Sequence, residues 1–287
     1  MKALNKLQEL SKTLKQLDIE HSDKEAELMI RYGLDMSLVD LLKDNPEISD
    51  AQNMVIDSMV NRRRRREPLQ YILGDTDFLG LKISVGSGVL VPRPETELMG
   101  EYAVKALSSQ LSALSSKNHR TTILDLCTGS GCLALAIAHA FPDSTVSAVD
   151  ISEDALKYAR RNAESNNINN IKFISGHLFD ALEKDIVFDF IISNPPYIMS
   201  KDIETLQPEI KDWEPINALD GGDDGMDFYR NIISEARSYL KDNGMIMFEL
   251  GVDCADSVSV MFEESGYSQI TIKKDYAGIE RIISAQK

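Results

Sequence analysis

Cysteine is scarce in this 287-residue chain. Its three cysteines, Cys127, Cys132 and Cys254, are an odd number with no paired metal-ligand spacing, so reduced thiols are expected. The four histidines (His21, His119, His139, His177) are scattered, and no metal site is expected. No apolar run approaches the roughly 18 residues needed to span a bilayer. Residues Met1 to Lys6 lack the apolar core and cleavage site of a signal peptide, so a cytoplasmic protein is expected. There is no internal repeat or low-complexity segment. Positive charge is also short, with 31 Lys and Arg against 46 Asp and Glu, a net −15. The deficit is uneven: residues 1–73 carry 12 basic and 13 acidic side chains, the remainder 19 basic and 33 acidic. So acidic a surface repels a phosphate backbone, which counts against a large nucleic-acid face on the second region.

What is present falls into two regions. Residues 1–73 read as helices. Leu7, Leu10, Leu14 and Leu17 form one stripe at helical spacing. Ser22 to Glu25 has a capping-box pattern ahead of a second helix that Gly33 would stop. Leu38, Leu41 and Leu42 suggest a third, and Ser49 or Asp50 can cap a fourth. Short helices with one apolar face each must pack on one another, so a small bundle follows. The five arginines Arg62 to Arg66 fit either a solvated helix end or a patch for an acidic partner or RNA.

From residue 74 the pattern changes. Phe78–Val85 and Val89–Val91 alternate like strands around Gly86 and Gly88, and Pro94 suits the first position of a helix. Ser108 to Asn118 reads as a surface connection. Strands near 122–126, 145–150, 170–174, 187–193 and 244–250 alternate with helices near 131–140, 152–166, 225–241 and 253–265. Two further strands (268–274 and 278–284) suit an antiparallel edge hairpin. The expected class is α/β, with a largely parallel, doubly wound sheet behind a small helical bundle.

Thr121 to Ala134 reads as strand, glycine turn and helix start, with Gly129 and Gly131 allowing backbone to approach a ligand. The next strand ends in Asp150, where a carboxylate can accept the hydroxyls of a ribose. An adenosine-type cofactor is expected. Gly129-x-Gly131-x-x-Ala134 also fits the nicotinamide dinucleotide fingerprint. Asp125 favours S-adenosylmethionine, because a carboxylate there can face the methionine ammonium but would repel a pyrophosphate. The single edge hairpin favours it too, standing where a dinucleotide fold has a second mononucleotide-binding half. The adenine is expected near Gly176 to Phe179.

Phe188 to Ser193 reads as a buried strand that stops at Asn194-Pro195-Pro196-Tyr197. Ligands gather beyond the carboxyl ends of such strands. The Asn194 side-chain oxygen and the Pro195 carbonyl are two acceptors matched to a planar –NH₂ group, with Tyr197 as a flat wall. Holding that nitrogen in line with a sulfonium methyl lowers the barrier to attack.

Taken together, EPLQYILG (67–74), PRPETE (92–97), DLCTGSG (125–131), AVD (148–150), SNPPY (193–197), EP (214–215), ALDGGDDGMDFYR (218–230), FELG (248–251) and DYAGIERI (275–282) resemble the PrmC/HemK family. These are protein-(glutamine-N5) methyltransferases acting on peptide chain release factors. NPPY alone is shared with nucleic-acid amino methyltransferases, and the combination with PRPETE is far more specific. The resemblance implies a seven-stranded methyltransferase domain (74–287) behind a helical substrate-docking domain (1–73). It implies S-adenosylmethionine as cofactor, touching Asp125, Cys127, Thr128, Gly129, Ser130, Gly131, Asp150, His177, Leu178 and Asn194. The glutamine of a Gly-Gly-Gln motif would be held by Asn194 and Pro195, with Pro196 and Tyr197 alongside. A monomer is expected, with no stable nucleic-acid complex and no membrane. A ribosomal-protein glutamine or an exocyclic amine of RNA or DNA is the alternative substrate. The chain departs from the family pattern at Cys127, where many relatives have Gly. It departs again at His177, where an acidic residue is common, and at Cys254, where Gln is frequent.

Overall fold

A computed structural model describes residues 1–113 and 120–287. Five helices come first: α1 (Ala3–Gln16), α2 (Ser22–Leu34), α3 (Leu38–Asp44), α4 (Asp50–Arg63) and α5 (Leu69–Leu73). A hairpin of β1 (Asp75–Phe78) and β2 (Leu81–Ser84) leads to α6 (Pro94–Ala113). There follow β3 (Thr122–Leu126), α7 (Cys132–Ala140), β4 (Thr145–Asp150), α8 (Glu153–Ser165), β5 (Ile171–Ser175) and β6 (Phe188–Ser193). Then come α9 (Pro208–Lys211), α10 (Asp227–Tyr239), β7 (Leu240–Glu249), α11 (Ala255–Glu264), β8 (Ser268–Lys274) and β9 (Glu280–Gln286). Two local expectations change. Val89–Val91 is not a strand, because β1 and β2 already pair with each other across Leu79-Gly80. The connection expected over Ser108–Asn118 is helical as far as Ala113, and the rest of it lies outside the described residues.

The chain forms two compact units: Met1–Asp75 with Pro208–Trp213, and Thr76–Gln207 with Glu214–Lys287. Within the first, Leu10, Leu14, Met29, Ile30, Leu41, Ile56 and Ile72 make one core. Ser22 lies inside α2, whose start carries no side-chain cap. The capping box sits instead at α4, where Ser49 Oγ accepts the Gln52 N–H at 3.3 Å and Gln52 Oε1 accepts the Ser49 N–H at 3.0 Å. Gly33 does not stop α2. A Cβ there would lie 2.5 Å from Ile56, so the glycine lets α2 and α4 approach closely.

The arginine run is largely internal wiring. Arg63 is 4% exposed. It meets Glu25 through Nε (2.7 Å) and Nη2 (3.0 Å), and Glu209 of α9 through Nη1 (2.7 Å). Arg66 also reaches Glu209, at 2.9 Å, and the Leu17 carbonyl, while Arg62 reaches Glu67 at 2.8 Å. These partners are what return residues 208–213 to the first unit.

In the second unit seven strands lie in the order β5-β4-β3-β6-β7-β9-β8. The first five are parallel, and β9 runs antiparallel to both neighbours. Tyr229, Ile233, Val258 and Phe262 of α10 and α11 cluster with Leu124, Ile191, Ile246 and Phe248 of the sheet. Asp125, of opposite parity on β3, turns toward α7. Leu126 pairs with Val149 and Ser193, and Ser193 with Phe248. The residue after each therefore stands level at one edge: Cys127, Asp150, Asn194 and Glu249.

Replacing Arg63 with Met should leave the Glu25 and Glu209 carboxylates without their shared cation. Breaking a buried pair by removing one partner costs about 3 kcal/mol or more. The chain's lone tryptophan, Trp213, belongs to this unit, where its Nε1 donates to the Arg65 carbonyl at 3.3 Å. The urea midpoint followed by Trp213 emission should fall by a corresponding amount.

Candidate active site

Cys127, Asp150 and Asn194 open onto a cavity of about 450 Å³. That is within the usual size range of small-molecule sites. Its floor is the β3–α7 turn, through Cys127, Thr128, Gly129 and Ser130. Thr128 N–H donates to the Val149 carbonyl at 3.0 Å, and Gly129 N–H to Asp150 Oδ2 at 2.8 Å. The turn is thus stitched to the neighbouring strand. Gly129 has φ +55°, and a Cβ there would meet nothing within 4 Å, so space remains beside the backbone. Cys127 has φ +59°, in the left-handed region where glycine is at ease.

The second glycine acts differently. Gly131 does not line the cavity. With φ +81°, a Cβ on it would come 3.0 Å from Ala159 Cβ, so its role is to seat α7 against α8.

Asp125, expected to face the methionine ammonium, is fully buried behind the residues that line the cavity. Oδ2 is drawn inward by the Thr128 hydroxyl at 2.6 Å and the Ala134 N–H at 3.2 Å, while Oδ1 has no partner among the described residues. Asp125 therefore braces the turn from behind. Burial pushes its carboxyl up to about 7, against the pull of those two donors.

Asp150 ends β4 with both oxygens engaged, Oδ2 by Gly129 N–H and Oδ1 by Ser152 N–H at 2.8 Å each. Each carboxylate oxygen keeps a further lone pair for a ligand hydroxyl. Burial raises its pKa, and the backbone donors oppose the rise. Beyond β5, His177 and Leu178 line the cavity with Ile151 and Phe228. His177 and Phe228 lie 6.3 Å apart between ring centroids, giving an aromatic, largely apolar end to the cavity. Phe179 faces the core and stacks on Tyr239. Phe228 carries no local signal of this role, since it sits 53 residues past the end of β5 at Ser175, inside ALDGGDDGMDFYR.

The Asn194 end has its own network. Asn194 and Pro196 line the cavity, while Pro195 is buried and outside the lining. Asn194 Nδ2 donates to Thr96 Oγ1 at 3.0 Å, and Thr96 donates to Glu249 Oε2 at 2.6 Å. The Tyr197 ring lies against Gly251, where a Cβ would be 3.0 Å from Tyr197 Cδ2. Its hydroxyl donates to Glu249 Oε1 at 3.1 Å. Burial pushes Glu249 up to about 7, with Thr96 and Tyr197 opposing. Opposite, the 218–222 loop is held by Ile198 N–H on the Leu219 carbonyl (2.9 Å) and Gly221 N–H on the Ile198 carbonyl (2.8 Å). Arg93 Nη2 reaches Glu214 Oε2 at 2.7 Å, joining PRPETE to the EP pair. Thr96 and Glu249 stand inside PRPETE and FELG, and nothing in their spacing announces that they meet.

The lining carries the carboxylates Asp150, Asp220 and Asp227, and among the described residues no Lys or Arg. That suits a cationic sulfonium and opposes the pyrophosphate of a dinucleotide. Among the described residues there is also no cluster of three potential metal ligands, and no helix long and apolar enough to cross a membrane. The sheet order and this site define a class, the methyltransferases that use S-adenosylmethionine as methyl donor.

The comparisons with known proteins agree. Residues 103–209 match the family described as Methyltransferase small domain, and residues 5–74 match the PrmC N-terminal domain. The chain is 42% identical to the release factor glutamine methyltransferase of Thermodesulfovibrio yellowstonii, over 100% of this chain and 99% of that protein. It is 38% identical to the enzyme of that name from Geobacter sulfurreducens, over 93% of this chain and 90% of that protein. A methyltransferase from Pyrococcus furiosus shares the fold, with a TM-score of 0.53 at 24% identity, over 79% of this chain and 98% of that one. The chain belongs to the release factor glutamine methyltransferase family.

The Asp125 side chain ionises near pH 4 in an unfolded chain and near 7 in the folded one. Between those values the folded state holds the extra proton, so this group's contribution to stability falls as pH rises, and levels off above 7. Asn at position 125 lacks that slope. Urea titrations from pH 4 to 7 should show the stability difference moving toward Asp125→Asn, by at most about 1.4 kcal/mol per pH unit.

Proposed function

We propose that this protein transfers a methyl group from S-adenosylmethionine to the side-chain amide nitrogen of the glutamine in the Gly-Gly-Gln motif of peptide chain release factors, in the cytoplasm. The carrying observation is Asn194, level with Asp150 at the sheet edge and opening onto the same cavity. When bound, S-adenosylmethionine supplies an electrophilic methyl on a sulfonium. Asp150 would take the ribose hydroxyls. The Thr128–Ser130 backbone would follow the methionine part, and His177, Leu178 and Phe228 would enclose the adenine.

Asn194 Oδ1 has no hydrogen-bond partner among the described residues and stands free to accept one amide N–H of the substrate glutamine. The Pro195 carbonyl, which takes no backbone hydrogen bond among the described residues, is the second acceptor. Two acceptors orient the amide plane and favour the positive charge that grows on nitrogen as its lone pair is drawn toward carbon. An amide nitrogen is a weak nucleophile, so positioning carries most of the work. Residues 1–73 would hold the release factor. Their side chains Val39, Leu42, Met54 and Val55 are exposed and apolar, a composition suited to a protein partner.

Incubation with methyl-labelled cofactor and release factor, ribosomal protein or RNA tests the assignment: label should enter release factor. Label in RNA, with release factor unlabelled, overturns it. Asn194→Ala should lower kcat by about a thousandfold, comparable to losing an oxyanion-hole donor, while S-adenosylhomocysteine still binds. Asp150→Ala should do the reverse, weakening S-adenosylhomocysteine about 10- to 100-fold by calorimetry, as expected for lost hydrogen bonds to a charged acceptor.

A further inference from the structure

PRPETE, NPPY and FELG lie far apart in sequence, yet one residue from each meets at a single buried carboxylate. Thr96 is 2% exposed and Glu249 1% exposed. A threonine hydroxyl has one proton to give. Here it goes to Glu249 Oε2, at 2.6 Å. Toward Asn194 the same oxygen can then only accept, and the group 3.0 Å away must be the Asn194 –NH₂. The amide cannot turn over without placing its carbonyl oxygen against an oxygen lone pair. Tyr197 occupies the other oxygen of Glu249 and keeps the carboxylate from rotating away from Thr96.

We infer that Thr96 and Glu249, with Tyr197 behind them, are positioning residues that set the orientation of the Asn194 amide, so that its oxygen and not its –NH₂ faces the substrate. The inference rests on the proposed reaction, in which an acceptor at that point holds the glutamine nitrogen. Turned over, Asn194 would offer a donor to a donor, and the nitrogen would lose one of its two anchors. The direction of the chain, from Asn194 N–H to Thr96 O–H to carboxylate, is set at its far end by Glu249, which in its ionised form accepts at both oxygens. This gives the threonine of PRPETE and the glutamate of FELG a function that neither motif discloses alone.

The test compares Thr96→Val, which keeps shape and removes the hydroxyl, with Thr96→Ser, which restores it. Thr96→Val should lower kcat toward release factor by about tenfold or more. Its KM for release factor and its affinity for S-adenosylhomocysteine should stay within about threefold, since one orientation and not a pocket is lost. Thr96→Ser should recover most of kcat. A second readout needs no turnover. The ¹⁵N side-chain amide signals of Asn194, identified by their loss in Asn194→Ala, should move in Thr96→Val and Glu249→Gln and return toward wild type in Thr96→Ser. If wild type methylates release factor and Thr96→Val keeps its kcat with the amide signals unmoved, the inference is overturned alone. If Thr96→Val loses kcat only together with cofactor binding, the role is structural and the inference is again overturned. If wild type leaves release factor unlabelled, the functional reading fails first. The amide signals still report whether the orientation is set.

Discussion

A carboxylate placed where water cannot reach it must be met by donors, or it destabilises the fold that buries it. Glu249 is such a group, and the carboxyl end of the parallel strands is arranged to meet it. Thr96 arrives from the start of α6 and Tyr197 from the turn after β6. Tyr229 of α10 binds the Glu249 main-chain carbonyl at 2.7 Å. Three segments distant in sequence converge because each supplies a hydroxyl to one residue. Satisfying the carboxylate and holding Asn194 are one requirement, since the hydroxyl of Thr96 serves both.

The parallel sheet sets the frame for that convergence. In-register pairing across β4, β3, β6 and β7 puts Asp150, Cys127, Asn194 and Glu249 at the same height. The Asp150 carboxylate and the Asn194 amide therefore share an edge without any loop having to carry them there. Fine adjustment falls to buried polar groups behind the edge. Asp125 braces the glycine turn, and Asn162 ties that turn to the β2 strand, bonding the Ser130 carbonyl at 3.0 Å and the Ser84 carbonyl at 3.1 Å. These groups lie outside the cavity lining, yet they decide where backbone N–H groups point.

The legible parts of the sequence were those governed by neighbours along the chain. The strand–helix alternation and the glycine turn follow from periodicity and from what proline and glycine permit. The errors came where a distant residue outweighed local preference. Gly33 reads as a stop, but Ile56 needs the space of its missing Cβ. Ser22 reads as a cap, but α2 begins without one. The arginine run reads as a solvated end or a patch, and Glu25 and Glu209 were waiting for it.

The sequence by itself determined the class of fold and the presence of an adenosine-type site. Each rests on a residue's intrinsic stereochemistry or on charge, which need no partner to be read. Tertiary structure alone decided which carboxylates line the cavity and which support it, and which residues join the arginines. It alone decided which way the Asn194 amide faces. A hydrogen bond between residues 98 or 153 positions apart leaves no trace in local pattern, because its geometry exists only once the sheet has brought both ends together.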